Sequence, residues 1–200
     1  MTEGTRPLPG SLALTVIGAS AGAIEALSVV LSRVTRNFPL PLVIVVHLPA
    51  DAPSLLPTLF SGKCALDTQE AEDKAPLAPG LAYFAPPDYH VVVESSRVLS
   101  LNADAPVHYS RPSIDVLFES AAASFGARAL GILMTGANSD GAEGLRAIHR
   151  AGGYTVVQDP ATALARAMPE AALRAFKPDQ VLDLPAIAGL LAQLETRGER

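Results

Sequence analysis

The sequence predicts an α/β fold: a doubly wound, mostly parallel sheet flanked by helices, with a small antiparallel β-hairpin near one edge. Three observations carry that expectation. Short apolar runs alternate along the chain with segments whose apolar residues recur at helical spacing, the pattern of strand–helix–strand units. The runs are continuous in Val, Ile and Leu rather than broken by polar residues, as in strands covered on both faces. Hydrophobic residues make up 49% of the 200 residues, aromatics only 5%, and Trp is absent. The core must therefore be built from aliphatic side chains.

Residues 1–11, rich in Pro, Gly and polar side chains, read as a loose tail, and residues 12–196 as one domain without internal repeats. The run at 13–17 is a buried strand ending at Gly18. Ile24, Leu27, Leu31 and Val34 then recur at helical spacing over 23–34. Pro39 and Pro41 punctuate the chain before a second buried strand at 42–46, which ends at His47. A proline-containing loop leads to a helix at 54–60, and a short strand is expected near 64–66. The β-type runs at 81–85, 90–94 and 97–101, separated by Pro86-Pro87-Asp88 and Ser95-Ser96, read as an antiparallel hairpin flap. A loop through Pro106 and Pro112 precedes a helix at 113–125. Then follow a strand at 129–134, a helix at 141–151, a strand at 154–158, a helix at 169–175, a strand at 180–182 and a closing helix at 185–195.

Composition narrows the function. A formal charge of −5 with no Lys/Arg run argues against nucleic acid as a primary partner. The single cysteine, Cys64, cannot form an intrachain disulfide. The N-terminus lacks the basic and apolar regions of a signal peptide. No apolar run approaches the roughly 20 residues of a membrane span. A cytoplasmic protein without membrane insertion is expected.

In open α/β sheets ligands bind beyond the carboxyl ends of the strands. Three such ends carry reactive groups: Ser20 in Gly18-Ala19-Ser20-Ala21-Gly22, His47, and Asp140 at the end of Thr135-Gly136-Ala137-Asn138-Ser139-Asp140. A serine hydroxyl becomes a useful nucleophile when an imidazole accepts its proton, and a carboxylate on the other ring nitrogen fixes the tautomer. The backbone N–H groups of Ala21 and Gly22, at a strand-to-helix turn, are candidate oxyanion donors. Each residue also has a plain structural role open to it. Ser20 can cap the following helix, and His47 can be an ordinary strand-end histidine. Asp140, three residues before Glu143, fits a reciprocal N-cap.

Other constellations are weaker. Gly18 to Gly22 fits G-x-S-x-G, but the α/β-hydrolases order their triad serine, acid, histidine and place more sheet before the serine. A G-x-G-x-x-G motif is absent, since Ser20 occupies the second glycine's place, and there is no Walker A lysine motif. The remaining histidines, His90, His108 and His149, show neither H-E-x-x-H nor close His/Cys pairing, so neither a metal nor a cofactor is expected. His90 and Arg111 read as surface-loop residues.

Over about residues 13–185 these segments resemble the catalytic domain of the chemotaxis protein-glutamate methylesterases. The resemblance rests on Val16-Ile17-Gly18-Ala19-Ser20-Ala21-Gly22, Val45-Val46-His47-Leu48-Pro49 and Ala85-Pro86-Pro87-Asp88-Tyr89-His90. It continues through Arg111-Pro112-Ser113-Ile114-Asp115-Val116-Leu117-Phe118, Leu133-Met134-Thr135-Gly136, Asp140-Gly141 and Ala167-Met168-Pro169. It implies Ser20 as nucleophile, His47 as general base and acid, and Asp140 as orienting carboxylate. Ala21, Gly22, Ala137 and Met168 would lie beside the oxyanion or substrate. The family hydrolyses γ-glutamyl methyl esters on chemoreceptor helices, and some members deamidate receptor glutamines, so the implied partner is a methyl-accepting chemoreceptor or similar signalling protein. This sequence departs from the family pattern at Ala21, where Thr or Ser is common, at Ala23, and at Gly136-Ala137-Asn138, where Gly-Met-Gly is usual. Many members also carry an N-terminal receiver domain. Only about a dozen residues precede the first strand here, so constitutive activity, or control by another protein, is expected. Two competing readings remain at this level: a non-catalytic docking module on the same fold, and a related esterase or amidase with another substrate.

Overall fold

Covering both faces of a sheet with helices allows every residue of its strands to be apolar, and that is how this chain folds. The structure is a computed structural model and describes residues 6–47 and 54–198. Strands β1 (Leu14–Ala19) and β2 (Leu42–Val46) are buried along their whole length, as are β7 (Ala129–Leu133) and β8 (Tyr154–Gln158). With β3 (Asp67–Glu70), β4 (Leu81–Phe84) and β9 (Gln180–Leu182) they form a seven-stranded sheet in the order β3-β4-β2-β1-β7-β8-β9. Each neighbouring pair is parallel.

Alternate side chains of the inner strands feed two cores. Ile17, Ile44, Phe84, Ile132 and Val156 pack against helices α1 (Ala23–Leu31), α2 (Leu56–Ser61) and α6 (Leu184–Gly198). Val16, Val43, Tyr83, Leu133 and Val157 face α3 (Ile114–Phe125), α4 (Ala142–Arg150) and α5 (Ala167–Ala175). Fully burying each such side chain contributes about 1.5–3 kcal/mol before entropy is counted.

The run at 81–85, expected in the flap, instead joins the parallel sheet beside β2. Only β5 (His90–Val93) and β6 (Leu99–Asn102) form the antiparallel hairpin. This hairpin lies on α3: Val93 N–H donates to Ser120 Oγ at 3.0 Å, and Ser124 Oγ donates to Val93 O at 2.8 Å. The strand expected near 64–66 lies later, at Asp67–Glu70, and the helix expected from 54 begins at Leu56. The N-terminal segment is docked from Arg6 onward. Arg6 donates to the carbonyls of Gly152 and Gly153, and Leu8 is buried. The winding direction reverses between β1 and β7, the switch point at whose crevice, beyond the carboxyl ends of the strands, open α/β sheets bind ligands.

Candidate active site

Strand register brings the first two side chains together. Ala19 pairs with Val46, so the next residues, Ser20 and His47, leave adjacent strand ends side by side. His47 Nδ1 lies 3.1 Å from Ser20 Oγ. Ser20 does not cap α1. Gly22 is the N-cap, at φ 82, and no side chain bonds there. Glycine suits that position because it alone adopts such a backbone freely.

Asp140 arrives by a longer route. Beyond β7 the ladder continues through Met134 N–H to Gly18 O and Ser20 N–H to Thr135 O, both 2.9 Å. Thr135 N–H donates to Gln158 Oε1 at 2.9 Å, and the Thr135 hydroxyl donates to Ala21 O at 2.8 Å. Asn138 Oδ1 accepts Asp140 N–H at 3.2 Å, and the chain then turns at Gly141, the N-cap of α4, with φ 92. Asp140 therefore does not take up the capping role open to it at α4. Its carboxylate reaches the N-terminus of α3 instead.

There the carboxylate is saturated. Oδ1 accepts Ser113 Oγ–H at 2.8 Å and Asp115 N–H at 3.0 Å, while Oδ2 accepts Ile114 N–H at 2.7 Å. The remaining partner of Oδ2 is His47 Nε2, at 2.7 Å. Burial raises the Asp140 pKa, but the bonds from His47, Asp115, Ile114 and Ser113 outweigh it and hold the group below its ordinary value. The helix dipole adds to the same effect. An ionised carboxylate can only accept, so the proton sits on His47 Nε2 and Nδ1 presents its lone pair to the Ser20 hydroxyl. The ring is turned end for end relative to the serine proteases, where Nε2 faces the serine. The chemistry needs only that hydroxyl and carboxylate occupy opposite nitrogens.

The Asp115 carboxylate lies beside this relay but bonds outside it. Its Oδ1 accepts Gly144 N–H at 2.7 Å, and His108 Nε2 lies 3.2 Å from Oδ2. Burial, aided by the Asp140 charge and opposed by the Gly144 bond, pushes its pKa up to about 6. His108, Asp115 and Asp140 each place one potential metal-ligand atom within 4.8 Å of the others. Both oxygens of Asp140 and one of Asp115 already accept protein donors. That donor set is shaped for hydrogen bonds rather than for a cation.

Of the residues expected beside the oxyanion, Ala21 and Ala137 are exposed and Gly22 is half-buried. Their N–H groups have no hydrogen-bond acceptor among the described residues. Met168 is different: it is fully buried, and its N–H donates to Gly136 O. A Cβ on Gly136 would meet Met168 Cε at 2.4 Å, so Met168 braces the loop from inside. The surface reading of His90 is also corrected: the side chain is 1% exposed. Arg111 fastens the loop beside it, donating from Nε to Asp88 Oδ1 and from Nη1 to the carbonyls of Ala103 and Asp104, each at 2.9 Å. Leu48 and Pro49 lie outside the described residues. Residues missed by sequence reasoning are Ser113 and the first N–H groups of α3. A serine before an apolar helix is a capping signal, but its bond to Asp140 depends on tertiary folding.

A family profile described as CheB methylesterase matches residues 15–191. A Leptospira interrogans protein, provisionally named protein-glutamate methylesterase/protein-glutamine glutaminase, is 42% identical over 90% of this chain and 93% of its own length. The protein of that name from Halalkalibacterium halodurans is 35% identical over 92% of this chain, which spans 54% of it. The crystal structure of the Thermotoga maritima CheB methylesterase catalytic domain superposes with a TM-score of 0.86 at 27% identity, over 92% of this chain and 99% of that one. The chain belongs to the CheB methylesterase family.

Proposed function

We propose that this chain hydrolyses γ-glutamyl methyl esters on a methyl-accepting chemoreceptor or similar signalling protein, releasing methanol, and that the same site deamidates glutamine. The observation that carries the reading is the unbroken relay from Asp140 through His47 to Ser20, at 2.7 and 3.1 Å. Relatives named for both activities support the substrate class. No helix among the described residues is long and apolar enough to cross a membrane, which fits our placing of the enzyme in the cytoplasm.

Ser20 Oγ attacks the ester carbonyl carbon while His47 Nδ1 takes the hydroxyl proton, and Asp140 stabilises the resulting imidazolium. The tetrahedral oxyanion accepts N–H groups from among Ala21, Gly22 and Ala137. Collapse breaks the carbon–methoxy bond, and His47 returns its proton to the leaving oxygen, giving methanol and an acyl-enzyme on Ser20. Water then loses a proton to His47, attacks the acyl carbon and frees the glutamate carboxylate as Ser20 recovers its proton. With glutamine the first leaving group is ammonia. The product carries a negative charge that the ester lacked, which alters the receptor's local electrostatics.

The test uses receptor membranes carrying labelled methyl esters. The purified chain should release labelled methanol, and Ser20→Ala should reduce the rate by a factor of about 10⁴ or more. Equal release by Ser20→Ala would remove the reading.

A further inference from the structure

We infer that His90 is a positioning residue for the orienting carboxylate Asp140, acting through Ser113; the inference rests on the relay proposed above. His90, at the first position of β5, is buried although the hairpin is peripheral to the main sheet. Both ring nitrogens face backbone groups. Nδ1 accepts Ser113 N–H at 3.1 Å, and Nε2 lies 3.2 Å from Ala105 O. Only the neutral tautomer protonated on Nε2 satisfies both partners, because a proton on Nδ1 would oppose the Ser113 N–H.

Ser113 is the residue to hold. It is the N-cap of α3, with extended backbone at φ −106 and ψ 139. Its own N–H lies outside the helical hydrogen-bond ladder, so the partner must come from elsewhere. His90 supplies it. Fixing that peptide sets the Ser113 hydroxyl and the N–H groups of Ile114 and Asp115, which are the three donors on Asp140 other than His47. The hairpin also binds α3 further along, through Val93 to Ser120 and Ser124. The hairpin therefore grips α3 at two places, and the grip nearest the chemistry is the imidazole. This buried imidazole holds a cap peptide three hydrogen bonds from the nucleophilic oxygen, and among the described residues it makes no ion pair.

Two measurements test this. In the wild-type chain at neutral pH, ¹⁵N NMR of the His90 ring should show the Nε2–H tautomer that its two backbone partners select. A cationic ring or an Nδ1–H tautomer would overturn the inference without any variant. Second, the saturating rate of Ser20 labelling by a fluorophosphonate should fall about 10–100-fold in His90→Phe, since a misplacement of about 1 Å in catalytic groups can cost about 100-fold. The half-saturating probe concentration should stay within threefold. His90→Asn, whose side-chain oxygen replaces Nδ1 as acceptor, should recover most of the loss. A folded His90→Phe that labels at the wild-type rate, or a His90→Asn no better than it, would contradict the positioning role. If the wild-type chain is not labelled at all, the hydrolase reading fails instead, and the tautomer measurement still decides whether His90 holds Ser113.

Discussion

Ser113 shows how one side chain can serve helix stability and, in the proposed mechanism, the orienting carboxylate together. Its hydroxyl donates to Asp140 Oδ1 at 2.8 Å while the residue caps α3. Ser113→Ala removes both functions. The expected cost is about 1–2 kcal/mol in urea denaturation, with kcat for methanol release down about tenfold and KM little changed. Asp115, its neighbour but one, gives a pH prediction. Its pKa is raised to about 6 from an ordinary 3.8, so the folded state takes up a proton that the unfolded state releases. The stability it contributes is full below the unfolded value and lost as pH rises through about 6. Asp115→Asn should therefore gain stability relative to wild type as pH climbs from 4 to 7, measured by urea midpoints; a constant difference would contradict the assignment. At this scale Ser20, His47 and Asp140 were legible because each closes or follows a buried strand. His90 and Ser113 were not, because they are linked across 23 residues by a backbone N–H, which leaves no pattern in the sequence.

At the level of elements, the turn into α4 is the most demanding. Gly141 has φ 92, and a Cβ there would stand 2.6 Å from both Ile114 Cγ2 and Leu133 Cδ1. Gly141→Ala should cost about 1–3 kcal/mol of stability from backbone strain. It should also depress activity more than Ser113→Ala does, since Ile114 would be pushed off the position from which its N–H holds Asp140. Calorimetry beside methanol release would check both. The strands at 42–46, 154–158 and 180–182 were readable to the residue. By contrast, β3 is Asp-Thr-Gln-Glu, a largely exposed edge strand with no apolar run to betray it. β4 was recognisable as a strand but not as a parallel one. Its partner, β2, lies about 40 residues earlier, and local sequence carries no sign of that pairing.

For the whole molecule, the reversal of winding between β1 and β7 determines where chemistry can occur, and the loops around that crevice determine what can approach. Leu164 is 79% exposed and packs beside Gly22, next to the candidate nucleophile. A protein substrate seated over Ser20 would bury this apolar side chain. Leu164→Glu should therefore raise KM for methylated receptor several-fold, leave labelling by a small fluorophosphonate unchanged, and shift stability by no more than about 0.5 kcal/mol. The convergence of Ser20, His47 and Asp140 on one sheet edge depends on this topology, and the alternation of strands and helices made it foreseeable. The saturation of Asp140 by α3 depended on how the second helical layer packs, which periodicity alone does not reveal. The most direct test of the relay is to treat the folded chain with a fluorophosphonate and locate the adduct by peptide mass spectrometry. The account predicts a single modified residue, Ser20, with labelling abolished in His47→Ala. An unlabelled wild-type chain, or an adduct on a different serine, would contradict it.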